Sequence, residues 1–243
     1  MKKFDVCIIG AGAAGLMCAI ESAKRNRKTL VLDHANKVGK KILMSGGGRC
    51  NFTNLNVSHN NFISRNPHFC RSALSRYTPE DFLNLVEKHN IPYYEKTLGQ
   101  LFCKNKSKDI VNMLLAECAE HNVNIRLNNK VLSVENLSDE GFILQTNIGA
   151  IFCESLVVAT GGLSIPTMGS SPFGYELAKY FDINVWPTRA GLVPFTMHAK
   201  DLKNIAPISG ISYACDVSSS KETFEEGMLF THRGLSSPAM LQI

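Results

Sequence analysis

The sequence predicts an α/β fold built on a parallel sheet, and three observations carry that prediction. An apolar run rich in β-branched residues, "FDVCIIG" (4–10), ends on glycine and reads as a buried strand. A stretch of helical composition, "AAGLMCAIESAKRN", follows at once, with basic residues in its last turn where the helix dipole favours them. A second buried strand, "TLVLD" (29–33), closes the unit. Strand, helix and strand in this order form a βαβ crossover, which runs right-handed into a parallel sheet.

The later elements follow in order. After the second strand comes a glycine loop, "KKILMSGGGRCNFTN" (40–54), and then a polar stretch, roughly 55–76, with little periodicity. "TPEDFLNLVEKHN" has Thr78 as N-cap, Pro79 at the first helical position and Asp81 in the first turn, a well-signalled helix start. "SKDIVNMLLAECAEHN" is a further helix, with Ser107 the expected cap. "VNIRL", "KVLSVEN", "GFILQTN" and "AIFCESLVVAT" are short β segments separated by Asn, Asp and Gly turns. They are expected to form a small antiparallel meander that feeds into a buried parallel strand, "SLVVAT", with a short helix, "FGYELAKYFDIN", after it. From about Thr188 the character shifts. "GLVPFTM", "GISYACDVS" and "TFEEGMLFTH" suggest strands of a second, β-rich domain, and "RGLSSPAMLQI" reads as a helix opening. The expected domains are therefore 1–188 and 189–243.

Composition narrows the function. The chain of 243 residues is 44% hydrophobic and 19% charged, which fits a packed core and excludes a disordered chain. The formal charge of +5 is compatible with anionic cofactors or RNA, but no basic tract is dense enough to claim nucleic-acid binding, and a solvated surface is the expectation. Eight cysteines stand at 7, 18, 50, 70, 103, 118, 153 and 215, none in C-x-x-C spacing. Reduced thiols are expected, with neither a disulfide framework nor a metal site. No signal peptide and no membrane-length apolar run is found, so a cytoplasmic protein without a membrane partner is expected.

Gly10-x-Gly12-x-x-Gly15 directly follows a strand, opens a helix and lies within a βαβ unit, the context that gives this weak spacing its meaning. Gly10 permits the tight turn, Gly12 lets backbone approach a pyrophosphate, and Gly15 allows close helix packing. The helix N-terminus adds free N–H groups and a positive dipole. Asp33, 18 positions after Gly15, is placed to accept ribose hydroxyl hydrogen bonds, and its charge argues against a 2′-phosphate. FAD or NAD is implied. The second glycine segment favours FAD, because a flavin extends past the pyrophosphate and main chain at Gly46, Gly47 and Gly48 could lie against it. Arg49 could offset pyrophosphate or reduced-flavin charge, and Asn51 and Asn54 offer amides. Cys50 is expected to pack near the cofactor rather than to act in redox chemistry. "VVATGG" (157–162) brings a third backbone turn to the same sheet edge.

These motifs, together with "GLVPF" and "THRGLSSPA", resemble the BaiN/RdsA-like FAD-dependent oxidoreductases over nearly the whole chain. The resemblance implies an FAD/NAD(P)-binding Rossmann-like domain with a β-rich domain inserted into it. It implies FAD held by Gly10, Gly12, Ala13, Ala14, Gly15, Asp33, Lys41, Ser45, Gly46, Gly47, Gly48, Arg49, Cys50, Asn51, Thr160 and Gly161, with Val131 reading the adenine through its backbone. The chain departs from the family at Asp33, usually Glu, and at Ser236-Ser237-Pro238, usually Ser-Gly-Pro. It is also shorter, so an N-terminal portion lacking the returning segment is expected. The implied reaction passes hydride from NAD(P)H through the flavin to an unsaturated substrate, a small molecule or uridine in ribosomal RNA. A merely FAD-binding fragment is the alternative. No catalytic acid or base stands out, and His232 in "FTHRGLS" is expected to be structural.

Overall fold

Strand β1 (Lys2–Ile9) leads through a glycine turn into helix α1 (Ala13–Lys24) and strand β2 (Thr29–Leu32), the expected βαβ unit. The computed structural model describes residues 1–220 and 222–243. They form two compact units, Met1–Val185 and Trp186–Ile243.

The first unit continues with α2 (Lys40–Gly48), β3 (Asn51–Asn54), α3 (Arg71–Arg76), α4 (Pro79–Lys88), β4 (Tyr93–Glu95), β5 (Gln100–Cys103) and α5 (Lys108–Glu120). It ends with β6 (Asn124–Arg126), β7 (Val131–Asn136), β8 (Phe142–Thr146), β9 (Gly149–Val158) and α6 (Phe173–Tyr180). Its main sheet has the order β6-β2-β1-β9-β8-β7. The first four strands are parallel, and β9 turns antiparallel to β8 on its other edge. Alternation along the parallel strands splits the core in two. Ile8 and Val31 pack against Leu16 and Ile20 of α1 and Met113 and Leu114 of α5. Cys7, Ile9, Leu30 and Leu32 face the meander residues Val131, Val134 and Leu144 and Leu177 of α6. Each such leucine or isoleucine, taken wholly out of water, contributes about 1.5–3 kcal/mol.

Three expectations need correction. "VNIRL" is not part of the meander: β6 is a parallel edge strand on β2, because its three residues continue the crossover from α5. "SLVVAT" is not buried throughout. Leu156 and Val157 are half-covered and Val158 is exposed, because the strand end borders an open cleft. Ser107 stands at the N-cap position of α5, but its side chain makes no capping bond. Its N–H donates to the Gly48 carbonyl (2.8 Å) and its hydroxyl to the Leu43 carbonyl (2.8 Å), so it ties α5 to the glycine segment. Thr78, by contrast, forms the expected cap. Its oxygen accepts from the Asp81 N–H (3.2 Å), and the Asp81 carboxylate accepts from the Thr78 N–H (2.7 Å).

Helices α4 and α5 are further joined by Glu117, 1% exposed, whose Oε1 lies 2.6 Å from Lys88 Nζ and 2.7 Å from His89 Nε2. A three-stranded antiparallel sheet, β3-β5-β4, had no counterpart in the sequence reading.

The second unit contains β10 (Phe195–Thr196), α7 (Ala199–Ile205), β11 (Ser212–Ser218), β12 (Thr223–Thr231), β13 (Gly234–Ser236) and α8 (Pro238–Gln242). Its antiparallel sheet has the order β10-β13-β12-β11, with α8 packed on it through buried Ala239 and Met240.

Candidate functional site

The chain leaves β1, β2 and β9 at one edge of the sheet. The Gly10 N–H donates to the Leu32 carbonyl and the Ala159 N–H to the Ile9 carbonyl, both at 2.8 Å, which fixes the three exits side by side. Gly10 has φ +114°, and a Cβ there would lie 2.4 Å from the Ala159 carbonyl oxygen. A Cβ on Gly15 would lie 1.8 Å from the Gly10 carbonyl oxygen, so α1 is pressed against the turn. Gly12 is different. It caps α1 with ordinary backbone angles, and its missing Cβ leaves open space. No side chain caps α1 and no acidic residue stands in its first turn, which leaves the positive end of the helix and its free N–H groups for an anion.

These turns line a cleft of about 700 Å3. Of the expected residues, Gly10, Gly12, Ala13, Ala14, Asp33, Lys41, Thr160 and Gly161 border it. Gly15 lies beneath, in the packing of α1. Val131 borders a smaller cavity of about 280 Å3 that continues the cleft, since both share Gly10, Asp33, His34 and Thr160.

Asp33 does more than the sequence suggested. Its Oδ2 accepts from the Ala11 N–H (2.7 Å) and its Oδ1 from the Ala35 N–H (2.8 Å), so the carboxylate shapes the glycine turn. Each oxygen keeps a second lone pair for a ligand. Lys41 reaches across the cleft mouth and donates to Ser164 Oγ (3.2 Å).

Ser45 to Asn51 do not line the cleft. Segment α2 leaves helical geometry at Ser45, and Gly46, Gly47 and Gly48 take φ of +58°, +65° and +85°. A Cβ on Gly46 would come within 2.7 Å of the Phe102 ring and 2.8 Å of the Asn51 nitrogen, so the protein itself requires that glycine. Gly47 and Gly48 have open space beside them. The Arg49 carbonyl accepts from the Cys103 N–H (2.9 Å), and the Arg49 side chain reaches Tyr94 Oη (3.4 Å). Asn51 begins β3, with its amide nitrogen directed at the Thr53 and Leu101 carbonyls. Asn54 is likewise engaged with the protein, donating to the Leu98 carbonyl and accepting from the Asn56 N–H. The segment meets the cleft through the first turn of α2, where Lys40, Lys41 and Ile42 border it and the Gly39 N–H donates to the Ala11 carbonyl (2.9 Å).

Sequence reasoning missed Lys37 and Lys40, which join Lys41 along the cleft; their spacing at the start of a helix was the available signal. It also missed Asn129, which borders the smaller cavity at 2% exposure. Both of its amide atoms are buried with no hydrogen-bond partner among the described residues. Such an orphaned amide costs about 1–3 kcal/mol.

All eight cysteines are free. Burial pushes the Cys50 thiol up, against the reactive thiolate. His232 is exposed in the turn between β12 and β13 of the second unit. Glu117, Glu120 and His121 bring ligand atoms within 4.8 Å of one another, but Glu117 Oε1 is already bonded to Lys88 and His89.

Residues 4–217 match the HI0933-like protein Rossmann domain. The whole chain is 52% identical over 244 residues to the ribosomal RNA dihydrouridine synthase of Escherichia coli (strain K12), of which it covers 61%. It is 49% identical to the Haemophilus influenzae protein of the same name, with 97% of this chain and 60% of that protein covered. A 3-dehydro-bile acid delta(4,6)-reductase of Clostridium scindens is 26% identical over 76% of this chain and 46% of its own. The chain thus spans about three-fifths of the length of the first two relatives. Among solved structures, the open conformation of a flavocytochrome c3 fumarate reductase shares the fold at a TM-score of 0.54 and 15% identity, covering 88% of this chain and 47% of that one.

Proposed function

This chain belongs to the HI0933-like Rossmann-domain family, the BaiN/RdsA-like flavoprotein oxidoreductases that its motifs resemble, and from that membership we propose that it holds FAD and serves in reducing uracil bases of ribosomal RNA. The observation that carries the cofactor reading is a pair of cavities that share Gly10, Asp33, His34 and Thr160 and together gather the parts a dinucleotide needs. Val131 and the orphaned amide of Asn129 border the smaller cavity, and the free N-terminus of α1 borders the larger one. Lys37, Lys40 and Lys41 border the larger cavity too, as does the Thr160–Gly161 turn, where a Cβ on Gly161 would lie 3.9 Å from Lys41 Nζ.

The residues fit FAD chemically. The adenine edge would satisfy Asn129 and the Val131 backbone. The helix N-terminus and the three lysines would offset the pyrophosphate charge, and Gly12 leaves room for its approach. Asp33 would hold the turn and accept from a ribose hydroxyl. When bound, FAD supplies a two-electron carrier that takes hydride from NAD(P)H and gives it to an unsaturated bond. The chain's own part is to fix the cofactor and keep the pyrophosphate charge neutralised.

The RNA substrate is favoured by the two relatives of 52% and 49% identity. A small unsaturated molecule is the second reading, favoured by the bile-acid reductase relative. The test is to purify the chain, reconstitute it with FAD, and follow flavin absorbance under anaerobic NADH or NADPH. Ribosomal RNA and a steroid enone are then added separately, and the gain of two hydrogens is read by mass spectrometry. Flavin bleaching with mass gain in RNA supports the proposal. Retained flavin without transfer to either substrate supports a merely FAD-binding chain. A colourless protein after reconstitution sinks both.

A further inference from the structure

We propose that the segment from Ser58 to Tyr77 is a docking surface for single-stranded RNA. The proposal rests on the RNA reading above and adds the place where the substrate strand is held.

The first observation is charge. The net +5 is not spread over the chain. Residues 34–79 contain seven Lys and Arg and no Asp or Glu, while the rest of the chain has 19 basic residues against 21 acidic ones. Three of the seven, Lys37, Lys40 and Lys41, line the cofactor cleft, and Arg49 faces Tyr94. The other three, Arg65, Arg71 and Arg76, all exposed, fall within the segment. The ion pairs among the described residues include neither Arg71 nor Arg76.

The second observation is that apolar side chains stand exposed in the same segment as these cations. Ile63 is fully exposed, Phe69 is 81% exposed and Phe62 49%. Local hydrogen bonds hold the segment in shape without burying them. Ser58 and Asn61 cap each other reciprocally, the His68 N–H donates to Asn66 Oδ1 (3.0 Å), and the Arg71 N–H donates to the His68 carbonyl (3.2 Å).

Cations interleaved with aromatic faces are what a single strand requires. Arginines track its phosphates, and unpaired bases stack on phenylalanine rings. A duplex keeps its base faces stacked and out of reach. Asn60, Asn61 and Asn66 are exposed. The Asn61 and Asn66 oxygens are held within the segment, which leaves their amide N–H groups to donate to base edges, and these groups would be ill placed among acyl chains. The segment follows β3 directly in the chain, and β3 in turn follows the Gly46–Asn51 turn.

The test measures fluorescence anisotropy of a labelled, unstructured uridine-rich RNA against the purified chain over a salt series. Two variants are compared with it, Phe62→Ala/Phe69→Ala and Arg65→Gln/Arg71→Gln/Arg76→Gln. All five positions are exposed, and circular dichroism melting and flavin content are expected to match the native chain. The phenylalanine variant should bind about 10–100-fold more weakly at fixed salt with the salt slope kept. The arginine variant should lose about 2 from the slope of log K against log salt. The same RNA annealed to its complement, and phosphatidylserine vesicles, should both be held more weakly. Native-like RNA binding by both variants would move the surface elsewhere and leave the RNA reading intact. If the native chain holds no RNA, the surface and the RNA substrate fall together while the flavin reading stands. Preference for duplex or vesicles, or a dimer that only the phenylalanine variant abolishes with RNA binding unchanged, would also overturn the proposal.

Discussion

Gly10 and Gly12 occupy one motif for different physical reasons, and substitution separates them. A methyl on Gly10 would sit 2.4 Å from a backbone oxygen at φ +114°, so neither a rotamer change nor a small shift relieves it. Gly10→Ala is expected to lose about 3 kcal/mol or more of stability in urea unfolding. Gly12 has φ −88° and open space where its Cβ would be. Gly12→Ala is expected to unfold within about 0.5 kcal/mol of the native chain yet retain about tenfold less flavin at equal FAD. Native flavin retention by that variant would mean that no pyrophosphate passes Gly12. Asn129 gives the converse test. Asn129→Leu removes the orphaned amide and is expected to stabilise the ligand-free chain by about 1–3 kcal/mol, while weakening FAD binding. Loss of stability with unchanged flavin affinity would exclude an adenine contact. The glycines were legible because spacing, strand and helix coincide in sequence. Asn129 was not, because its isolation depends on partners that only the folded chain determines.

Elements were legible where one local signal fixed them. The reciprocal Thr78–Asp81 cap is written in four consecutive residues, and α4 begins where it says. Strands β3, β4 and β5 are three or four residues long and owe their existence to one another, so no periodicity announces them. Ser107 had the composition of a cap, but its donors turned to carbonyls of α2, a competition between partners that sequence cannot rank. Packing of α4 on α5 rests partly on Glu117. Burial pushes its carboxyl up, but the Lys88 ammonium and His89 ring bonded to it outweigh that and hold it below its ordinary value. A carboxyl with its folded pKa depressed stabilises the fold above its unfolded pKa of about 4.3 and loses that contribution as pH falls through the folded value. Glu117→Gln is therefore expected to melt a few degrees lower at neutral pH. The gap to the native chain should close below about pH 4. A gap that stays constant from neutral to strongly acid pH would remove the ion pair from the explanation.

Across the whole molecule, the cysteines report how well the parallel core was read. The absence of C-x-x-C spacing led to the expectation of reduced thiols, and the strand cysteines Cys7 and Cys153 are fully covered in the core that also holds Leu144 and Leu177. Cys50, Cys103 and Cys118 are buried as well, and burial pushes the Cys103 thiol up to about 12 and that of Cys118 to about 11. Both buried position and protonation oppose reaction, since the thiolate is the nucleophile. Cys18, Cys70 and Cys215 are only half-buried. Sequence could not make this division, because all eight cysteines are of one residue type and their cover comes from elements distant in the chain. A disulfide-exchange reagent at mildly alkaline pH is expected to titrate at most those three in the folded chain. All eight should react once denaturant is added without reductant, since the described structure contains no disulfide. Rapid reaction of five or more thiols before unfolding would mean that the sheet does not exclude solvent as its packing requires. Fewer than eight after unfolding would reveal a cross-link incompatible with this fold.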